Sequence, residues 1–227
     1  MQGLSHDGNR DLYKVFGYSR YLTSKNFFDM YLRNGVANRA VRAFPQATWQ
    51  EDPIITDVDG NSEDDSPFAE EVMKFFRKHN VCHYLERTDR LSGIGQYSIL
   101  IMGFNDGGEM HTELPKGKHD LTFLRPYSDV DAVIHTWEDD VTNPRYNMPK
   151  TYQIYPNNDN QVSSGRGSKR QSDKSFIVHH SRVLHVAEFL ESDDVSQSRS
   201  TTTIKPINLS RTTRNFFKIF KIIKNRH

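Results

Sequence analysis

The 227-residue sequence predicts an α+β fold, in which N-terminal helices precede a mainly antiparallel sheet and a basic helical tail ends the chain. Apolar residues recur at helical spacing in the first part of the chain. Short apolar runs typical of strands begin near Tyr97. Because helices and strands occupy separate parts of the chain, an α+β arrangement is favoured over an alternating parallel sheet.

The first predicted helix spans residues 26–45. Its apolar side chains recur every three or four positions, as expected of a helix that buries one face. Ser24 or Asn26 could cap its start. Pro45 is predicted to end it, because proline lacks the backbone N–H that a continuing helix needs.

Two further helices are predicted, over residues 66–80 and 81–93. Ser66 is a suitable cap for the first of them, and Pro67 suits its first turn, where the missing N–H costs nothing. Gly93 is predicted to end the second.

Gly93 and Gly95 raise the question of a phosphate-binding loop. Such loops run in the order strand, glycine loop, helix, because the phosphate then meets the N-terminus of the helix. In this sequence the glycines follow a predicted helix and precede a strand, and no Gly-Lys-Ser/Thr is present. We therefore expect Gly93 and Gly95 to form a structural turn into the first central strand.

The second part of the chain predicts strands. The run "YSILIMGF" and a strand after "NDGGEMHTELPKGKHD" could form a hairpin through residues 105–108. The runs "LTFLRPYSDVDAVI", "KTYQIYP" and "FIVHHSRVLHVA" predict three more strands.

A polar run over residues 157–173 is predicted to be a surface loop. Its side chains Arg166, Lys169 and Arg170 could contact the phosphates of a nucleic acid. No aromatic residue is interleaved with them to stack on bases, so that this contact is the weaker of two interpretations.

The histidines at positions 179, 180 and 185 could suggest a metal site or a catalytic site. On a straight strand His179 and His185 would lie about 20 Å apart, and they could share a metal ion only across a sharp bend. The run His179-His180-Ser181 also matches the loose His-x-Ser/Thr pattern of 2H phosphodiesterases. Those enzymes need two such copies, and a second is not found, so that a hydrogen-bonded structural role is favoured.

No other residue pattern predicts chemistry strongly. The acidic group Glu138, Asp139 and Asp140 could bind a hard cation, but a solvated loop is favoured. The single cysteine, Cys82, excludes an internal disulfide and a multi-cysteine zinc site, and is predicted to be a small buried residue. We expect no catalytic residue, no metal and no cofactor.

The formal net charge of +1 hides a break near residue 196. Residues 196–227 carry eight Lys or Arg and no Asp or Glu, whereas residues 1–195 carry a net charge of −7. We therefore predict a domain over residues 1–195 and a separate basic tail. The tail segment "RNFFKIFKIIKN" would place apolar and basic side chains on opposite sides of a helix. Such a helix could pack on its own domain, bind a partner or lie on a membrane, or the segment could be an accidental peptide.

Five segments resemble, in order, blocks of tailed-bacteriophage portal proteins, over about residues 15–194. They are "YLRNGVANRAVRAFPQATWQEDPII", "LERTDRLSGIGQYSILIMGFNDG", "LTFLRPYSDVDAVI", "DVTNPRYNMPKTYQIYP" and "VHHSRVLHVAEFLES". The group that they resemble is related to the N-terminal domain of the anti-CBASS protein. Some members of this group carry a C-terminal anti-CBASS phosphodiesterase domain.

The resemblance implies a wing-like structural subunit of a portal ring, commonly of twelve copies, with no enzymatic activity. Its partners would be further copies of the chain, the terminase, head–tail connector proteins and double-stranded DNA, which passes through without sequence specificity. The ring would occupy a capsid vertex of the virion, after assembly in the host cytoplasm. No membrane partner is expected, although the basic tail leaves membrane binding as an open alternative. The alternative is an accessory N-terminal domain of an anti-CBASS cyclic-oligonucleotide phosphodiesterase.

Beyond residue 194 the sequence departs from the expected portal pattern. A run resembling Tyr-Gly-x-Pro-Arg-Leu should follow, and the composition changes instead. We therefore expect the domain to be incomplete relative to the family, and hypothesise that a frameshift or another interruption produced residues 196–227. Absence of such a run from the other reading frames of the gene would refute the frameshift.

Overall fold

The computed structural model describes residues 15–17, 21–53, 67–117, 119–156 and 175–187. In these ranges the fold is α+β, as predicted, with helices first and antiparallel sheets afterwards. The basic tail lies outside the described residues. The helices are α1 (Ser24–Arg33), α2 (Gly35–Thr48), α3 (Pro67–His79) and α4 (Val81–Ser92).

The segment predicted as one helix over residues 26–45 forms two helices, and the prediction of a single helix was wrong. Asn34 is extended, with φ −110° and ψ 116°, and separates α1 from α2. Its Oδ1 atom accepts hydrogen bonds from the backbone N–H groups of Val36 (2.9 Å) and Ala37 (3.1 Å). The asparagine side chain thereby caps the new helix, which replaces the hydrogen bonds that the break removes.

The predicted cap and end of this segment are also corrected. Thr23 caps α1, and Asn26 completes a capping box, because its Oδ1 accepts a hydrogen bond from the Thr23 N–H at 2.9 Å. Pro45 lies inside α2, which continues to Thr48. The helix accommodates this proline near its end, where the Pro45 carbonyl still accepts a hydrogen bond from the Trp49 N–H at 3.0 Å.

Helices α3 and α4 confirm the other two helix predictions. Helix α3 begins at Pro67, while the predicted cap Ser66 lies outside the described residues. Asn80 separates α3 from α4 in the left-handed conformation, with φ 50° and ψ 42°, which asparagine tolerates better than most residues. Helix α4 ends immediately before Gly93, as predicted.

The described strands form two three-stranded antiparallel sheets, ordered β2-β1-β6 and β3-β4-β5. We call them the first sheet and the second sheet. Pairing of β1 with β2 confirms the predicted hairpin, whose connection is the loop 105–120. The strands are β1 (Ser98–Phe104), β2 (Leu121–Ser128), β3 (Ala132–Trp137), β4 (Pro149–Ile154), β5 (Phe176–His179) and β6 (Val183–Val186).

Two of the runs predicted as single strands are each divided between the two sheets. The run that begins at Leu121 turns after Ser128, so that β2 and β3 belong to different sheets. The run that begins at Phe176 is interrupted by a 3₁₀ turn, His180–Arg182, between β5 and β6. The prediction of continuous strands was wrong at both places, because an apolar pattern continues when the chain moves from one sheet to the other.

The core lies on both faces of β1, since successive side chains of a strand point to opposite faces. Leu100 and Met102 pack towards α3 and α4, whereas Ile99 and Ile101 pack against the second sheet. The described structure therefore has three layers: α3 and α4, the first sheet and the second sheet. The helix-facing cluster also contains Val72, Phe76, Val81, Leu85, Leu124 and Leu184.

Helices α1 and α2 lie at the edge of this core. None of the residues of α1 is buried, and only Pro45 is buried in α2. Trp49 anchors the pair, because it packs against the helix-facing cluster and its Nε1–H donates to Asp89 Oδ2 at 3.0 Å. The α1–α2 pair consequently leaves much of its apolar surface exposed.

Candidate functional site

At the junction between α4 and β1, the Asp129 side chain lies against the backbone of Gly95 and Gln96. Asp129 Oδ2 accepts hydrogen bonds from the Gln96 N–H (2.9 Å) and the Ser24 hydroxyl (2.5 Å). A Cβ atom on Gly95 would lie 2.2 Å from Asp129 Oδ1, whereas one on Gly93 would be 3.7 Å from its nearest neighbour. We therefore interpret Gly93 and Gly95 as a structural turn. At Gly95 the Asp129 carboxylate leaves no room for a side chain.

Replacing Gly95 by alanine is expected to lower the free energy of unfolding by roughly 1–3 kcal/mol, because the new methyl group must displace the Asp129 carboxylate. Gly93→Ala is the matched control, with an expected change within about 0.5 kcal/mol, since Gly93 has φ −72° and a Cβ there would make only ordinary van der Waals contacts. Urea denaturation of both variants measures the difference. Equal stabilities would contradict the close approach of Asp129.

A buried polar cluster joins the loop 105–120 to residues 179–182. We call residues 179–182 the sheet corner, because the chain there passes from the second sheet to the first. The Arg182 side chain is fully buried and pairs through Nη2 with the carboxylate of Asp106, whose side chain is 1% exposed. Arg182 Nε–H also donates to the Thr112 carbonyl at 3.2 Å. The hydrogen bond from Arg182 is the main cause that lowers the pKa of Asp106.

Further hydrogen bonds attach the same loop to the sheet corner. The Ser181 hydroxyl oxygen accepts from the Leu114 N–H at 2.9 Å, and the His179 N–H donates to the Met110 carbonyl at 2.9 Å. His179 Nδ1 lies 2.9 Å from Ser181 Oγ. Burial is the largest influence on the pKa of His179 and lowers it, so that the neutral ring is favoured. These groups bind one another and fix a long loop in place.

The three histidines occupy two environments. His179 and His180 are neighbours in the sheet corner, with ring centroids 4.2 Å apart. His185 lies on β6, where its ring stacks on Tyr97 and its Nδ1 is 3.0 Å from the Tyr152 hydroxyl. The straight strand assumed for these histidines is not formed, because the 3₁₀ turn bends it. In the described ranges, no three His, Cys, Asp or Glu side chains converge as a metal site requires.

The acidic group at residues 138–140 is divided by burial. Glu138 is 9% exposed, and its carboxylate lies 3.2 Å from Lys150 Nζ. Asp139 and Asp140 are exposed. Asp140 Oδ1 accepts from both the backbone N–H (2.9 Å) and the hydroxyl (2.7 Å) of Thr142, and these bonds lower its pKa. The three carboxylates thus serve separate local contacts.

These acidic residues begin the β3–β4 loop, residues 138–148, which is ordered by its own hydrogen bonds. The Glu138 N–H donates a hydrogen bond to the Met148 carbonyl, and the Glu138 carbonyl accepts one from the Asn147 N–H. Both hydrogen bonds are 2.9 Å long. The loop nevertheless exposes Val141 (75%), Tyr146 (54%) and Met148 (36%). A preorganised loop with exposed apolar side chains is typical of a contact surface, because binding need not order it.

The remaining predicted sites are placed as follows. Arg166, Lys169 and Arg170 lie outside the described residues, and contact with nucleic acid there stays a prediction. Cys82 is half-buried against the helix-facing cluster, and burial raises the pKa of its thiol. A surface pocket of about 200 Å³ lies between α3 and the start of β2, with both acidic and basic lining residues. None of the described helices is long and apolar enough to cross a membrane.

Sequence reasoning missed Arg182, Asp106 and Asp129 as structural groups. Arg182 had a usable signal, since a charge within an apolar run must find a partner if it is buried. Its partner Asp106 lies 76 positions away, and Asp129 lies 33 positions from the amide that it binds. Distances of this size along the chain are not visible in local patterns.

In the described residues, the buried polar groups hold the loops in place, and apolar side chains remain exposed for contact with other proteins. The family comparison agrees, because the family described as phage portal protein matches residues 25–207. The match covers most of the sequence, and the chain therefore belongs to the phage portal protein family, as the resemblance predicted. A search of curated proteins gives no significant match. The family match continues to residue 207, beyond residue 194, where the resemblance was predicted to stop.

Proposed function

We propose that the chain is a structural subunit of a phage portal ring, through which double-stranded DNA is packaged and ejected. The observation that carries this proposal is the family match over residues 25–207. Portal proteins are structural components of the virion, and their place is the capsid vertex. On this proposal the chain acts through shape and charge and makes no covalent bonds.

The described residues support this proposal in two ways. The sheet corner and the Gly95 junction use their polar groups internally, as a rigid wall element would. The α1–α2 pair and the β3–β4 loop expose apolar side chains that contact between subunits could bury. In addition, the net charge of −7 over residues 1–195 suits a conduit, because strong binding of phosphates would hinder sliding of DNA.

The finer features of the proposal follow from the family. The ring would consist of about twelve copies, by analogy with portal rings in general. It would bind the terminase during packaging and head–tail connector proteins afterwards. The anti-CBASS relation and the domain boundary at residues 195/196 stay predictions of the sequence.

The proposal is tested by the mass and shape of the assembly that the full chain forms. Mass photometry over a range of concentrations should show one discrete large species, and negative-stain electron microscopy should show a closed ring with a central channel. A chain that remains monomeric at every concentration would overturn the proposal for this polypeptide.

Enzymatic activity of the anti-CBASS type is the outcome that would favour the alternative. The full chain would be incubated with cyclic oligonucleotides, together with His179→Ala. Turnover by the parent chain that disappears in a variant with unchanged circular dichroism would identify His179 as catalytic. No turnover is expected, because His179 is 9% exposed and its Nδ1 lies beside Ser181.

A further inference from the structure

One exposed face of α2 is apolar along the length of the helix. Its four residues are spaced at i, i+4, i+8 and i+11, which places them on one side of the helix. All four are exposed, and Val36 is the most exposed at 80%. We call them the apolar helical face: Val36, Ala40, Phe44 and Ala47.

The surroundings of this face are basic, although the domain as a whole is acidic. The α1–α2 pair, residues 24–48, has one acidic side chain, Asp29, and four basic ones. Three of the basic side chains, Lys25, Arg33 and Arg39, are exposed. A partner that fits this surface should therefore combine apolar side chains with negative charge. The basic residues are Lys25, Arg33, Arg39 and Arg42.

The β3–β4 loop has this combination. Val141 and Tyr146 project apolar side chains from it, and Asp139 and Asp140 lie exposed beside them. The negative charge of Glu138 is offset by Lys150. The loop's basic side chain, Arg145, is half-buried and donates through Nη2 to the Pro149 carbonyl at 3.0 Å, so that the two aspartates give the exposed part of the loop its charge.

The two surfaces belong to separate parts of the described structure. Helix α1 starts next to the turn between β2 and β3, where the Ser24 hydroxyl binds Asp129. Strand β3 leads from that turn to the β3–β4 loop, over six residues or about 17 Å. Within one copy both surfaces remain exposed, and therefore neither covers the other.

We propose that the β3–β4 loop of one copy packs on the apolar helical face of the next copy. This inference rests on the proposed function, since it identifies the surfaces through which ring subunits meet. Contact between two different surfaces of identical chains is heterologous, and heterologous contacts close into rings when the rotation between copies permits. Burial of Tyr146 and Val141 against Phe44 and Val36 would supply the apolar contact, and the opposite charges would set the orientation.

Cross-linking between two differently labelled copies tests the contact. Val36→Cys and Val141→Cys are made separately in full chains that also carry Cys82→Ala, so that each chain has a single thiol. The two proteins are mixed and treated with a short bismaleimide. Dimers that contain one copy of each variant are expected, because the two thiols meet only between different copies. Val133→Cys, on the exposed face of β3 and outside both surfaces, is the matched control partner.

The outcomes separate this inference from the proposed function. Mixed Val36→Cys and Val141→Cys dimers, together with their loss when Val133→Cys replaces either partner, would support the contact. A discrete assembly without these mixed dimers, or with equal cross-linking of the Val133→Cys control, would overturn the inference and leave the ring intact. A chain that forms no assembly in mass photometry would overturn the ring itself.

Discussion

Replacement of Arg182 by methionine is expected to lower the midpoint of thermal unfolding by on the order of 10 °C. Arg182 is fully buried and pairs with Asp106, whose side chain is 1% exposed. Methionine occupies a similar volume but leaves the carboxylate without its partner. The hydrogen bond from Arg182 Nε–H to the Thr112 carbonyl is lost as well, so that the loop 105–120 is detached at two points.

Arg125→Met is the matched control for this substitution. Arg125 lies exposed on β2, and the same chemical change there is expected to shift the midpoint by no more than about 2 °C. Differential scanning fluorimetry at neutral pH would measure both variants. If the two midpoints fell together, the ion pair in the sheet corner would not be a major source of stability.

The difference between the parent chain and Arg182→Met should also depend on pH. Arg182 holds the pKa of Asp106 below its ordinary value of 3.8, chiefly by a hydrogen bond. A lowered pKa in the folded state contributes stability above the ordinary value, and this contribution is lost as the pH falls through the folded pKa. The stability difference should therefore be largest near neutral pH and shrink as the pH falls below about 4. A difference that is unchanged in acid would show that the charge on Asp106 is not involved.

The elements that the sequence predicted well have signals within the element itself. Helices α3 and α4 are bounded by Pro67 and Gly93, and their apolar residues are regularly spaced. Strand β1 is apolar at nearly every position because both of its faces are buried, against α3 and α4 on one side and the second sheet on the other. Burial of this kind leaves a continuous apolar run that identifies a central strand.

The breaks were harder to predict, because each interrupts an apolar pattern without changing it. Asn34 divides the first helical segment by capping α2, yet the apolar spacing continues across it. The sheet corner interrupts the run "FIVHHSRVLHVA" where Arg182 binds Asp106 and Thr112, which belong to a loop that is far away along the chain. That requirement becomes visible only when the two segments are brought together.

The candidate contact surfaces were predicted in part. The resemblance to portal proteins implied a subunit of a larger assembly, and the sequence located the acidic residues of the β3–β4 loop. It could not show that this loop is internally hydrogen-bonded while Val141 and Tyr146 stay exposed. The sequence also could not show that the apolar helical face of α2 is exposed, because an amphipathic helix has the same residue pattern whether its apolar face is buried or exposed.

Replacement of Leu100 by alanine is expected to lower the free energy of unfolding by roughly 2–5 kcal/mol, because Leu100 lies at the centre of the three-layer core. Leu100 is fully buried in β1, on the face of the first sheet that packs against the helices α3 and α4. Its removal leaves a cavity that its neighbours can fill only partly, since those outside β1 belong to four separate elements, α3, α4, β2 and β6. Those neighbours include Val72 and Phe76 of α3 and Leu85 of α4.

Leu32→Ala removes the same atoms from a side chain on α1 that is 62% exposed, and serves as the matched control. Its expected effect is within about 0.5 kcal/mol, because little contact is lost and alanine is favourable in a helix. Urea denaturation of both variants at a concentration that keeps the chain monomeric gives the comparison. Similar losses for Leu100→Ala and Leu32→Ala would place α1 inside the core. The exposed surface of the α1–α2 pair would then be needed for folding, and it could no longer be assigned to contact between subunits.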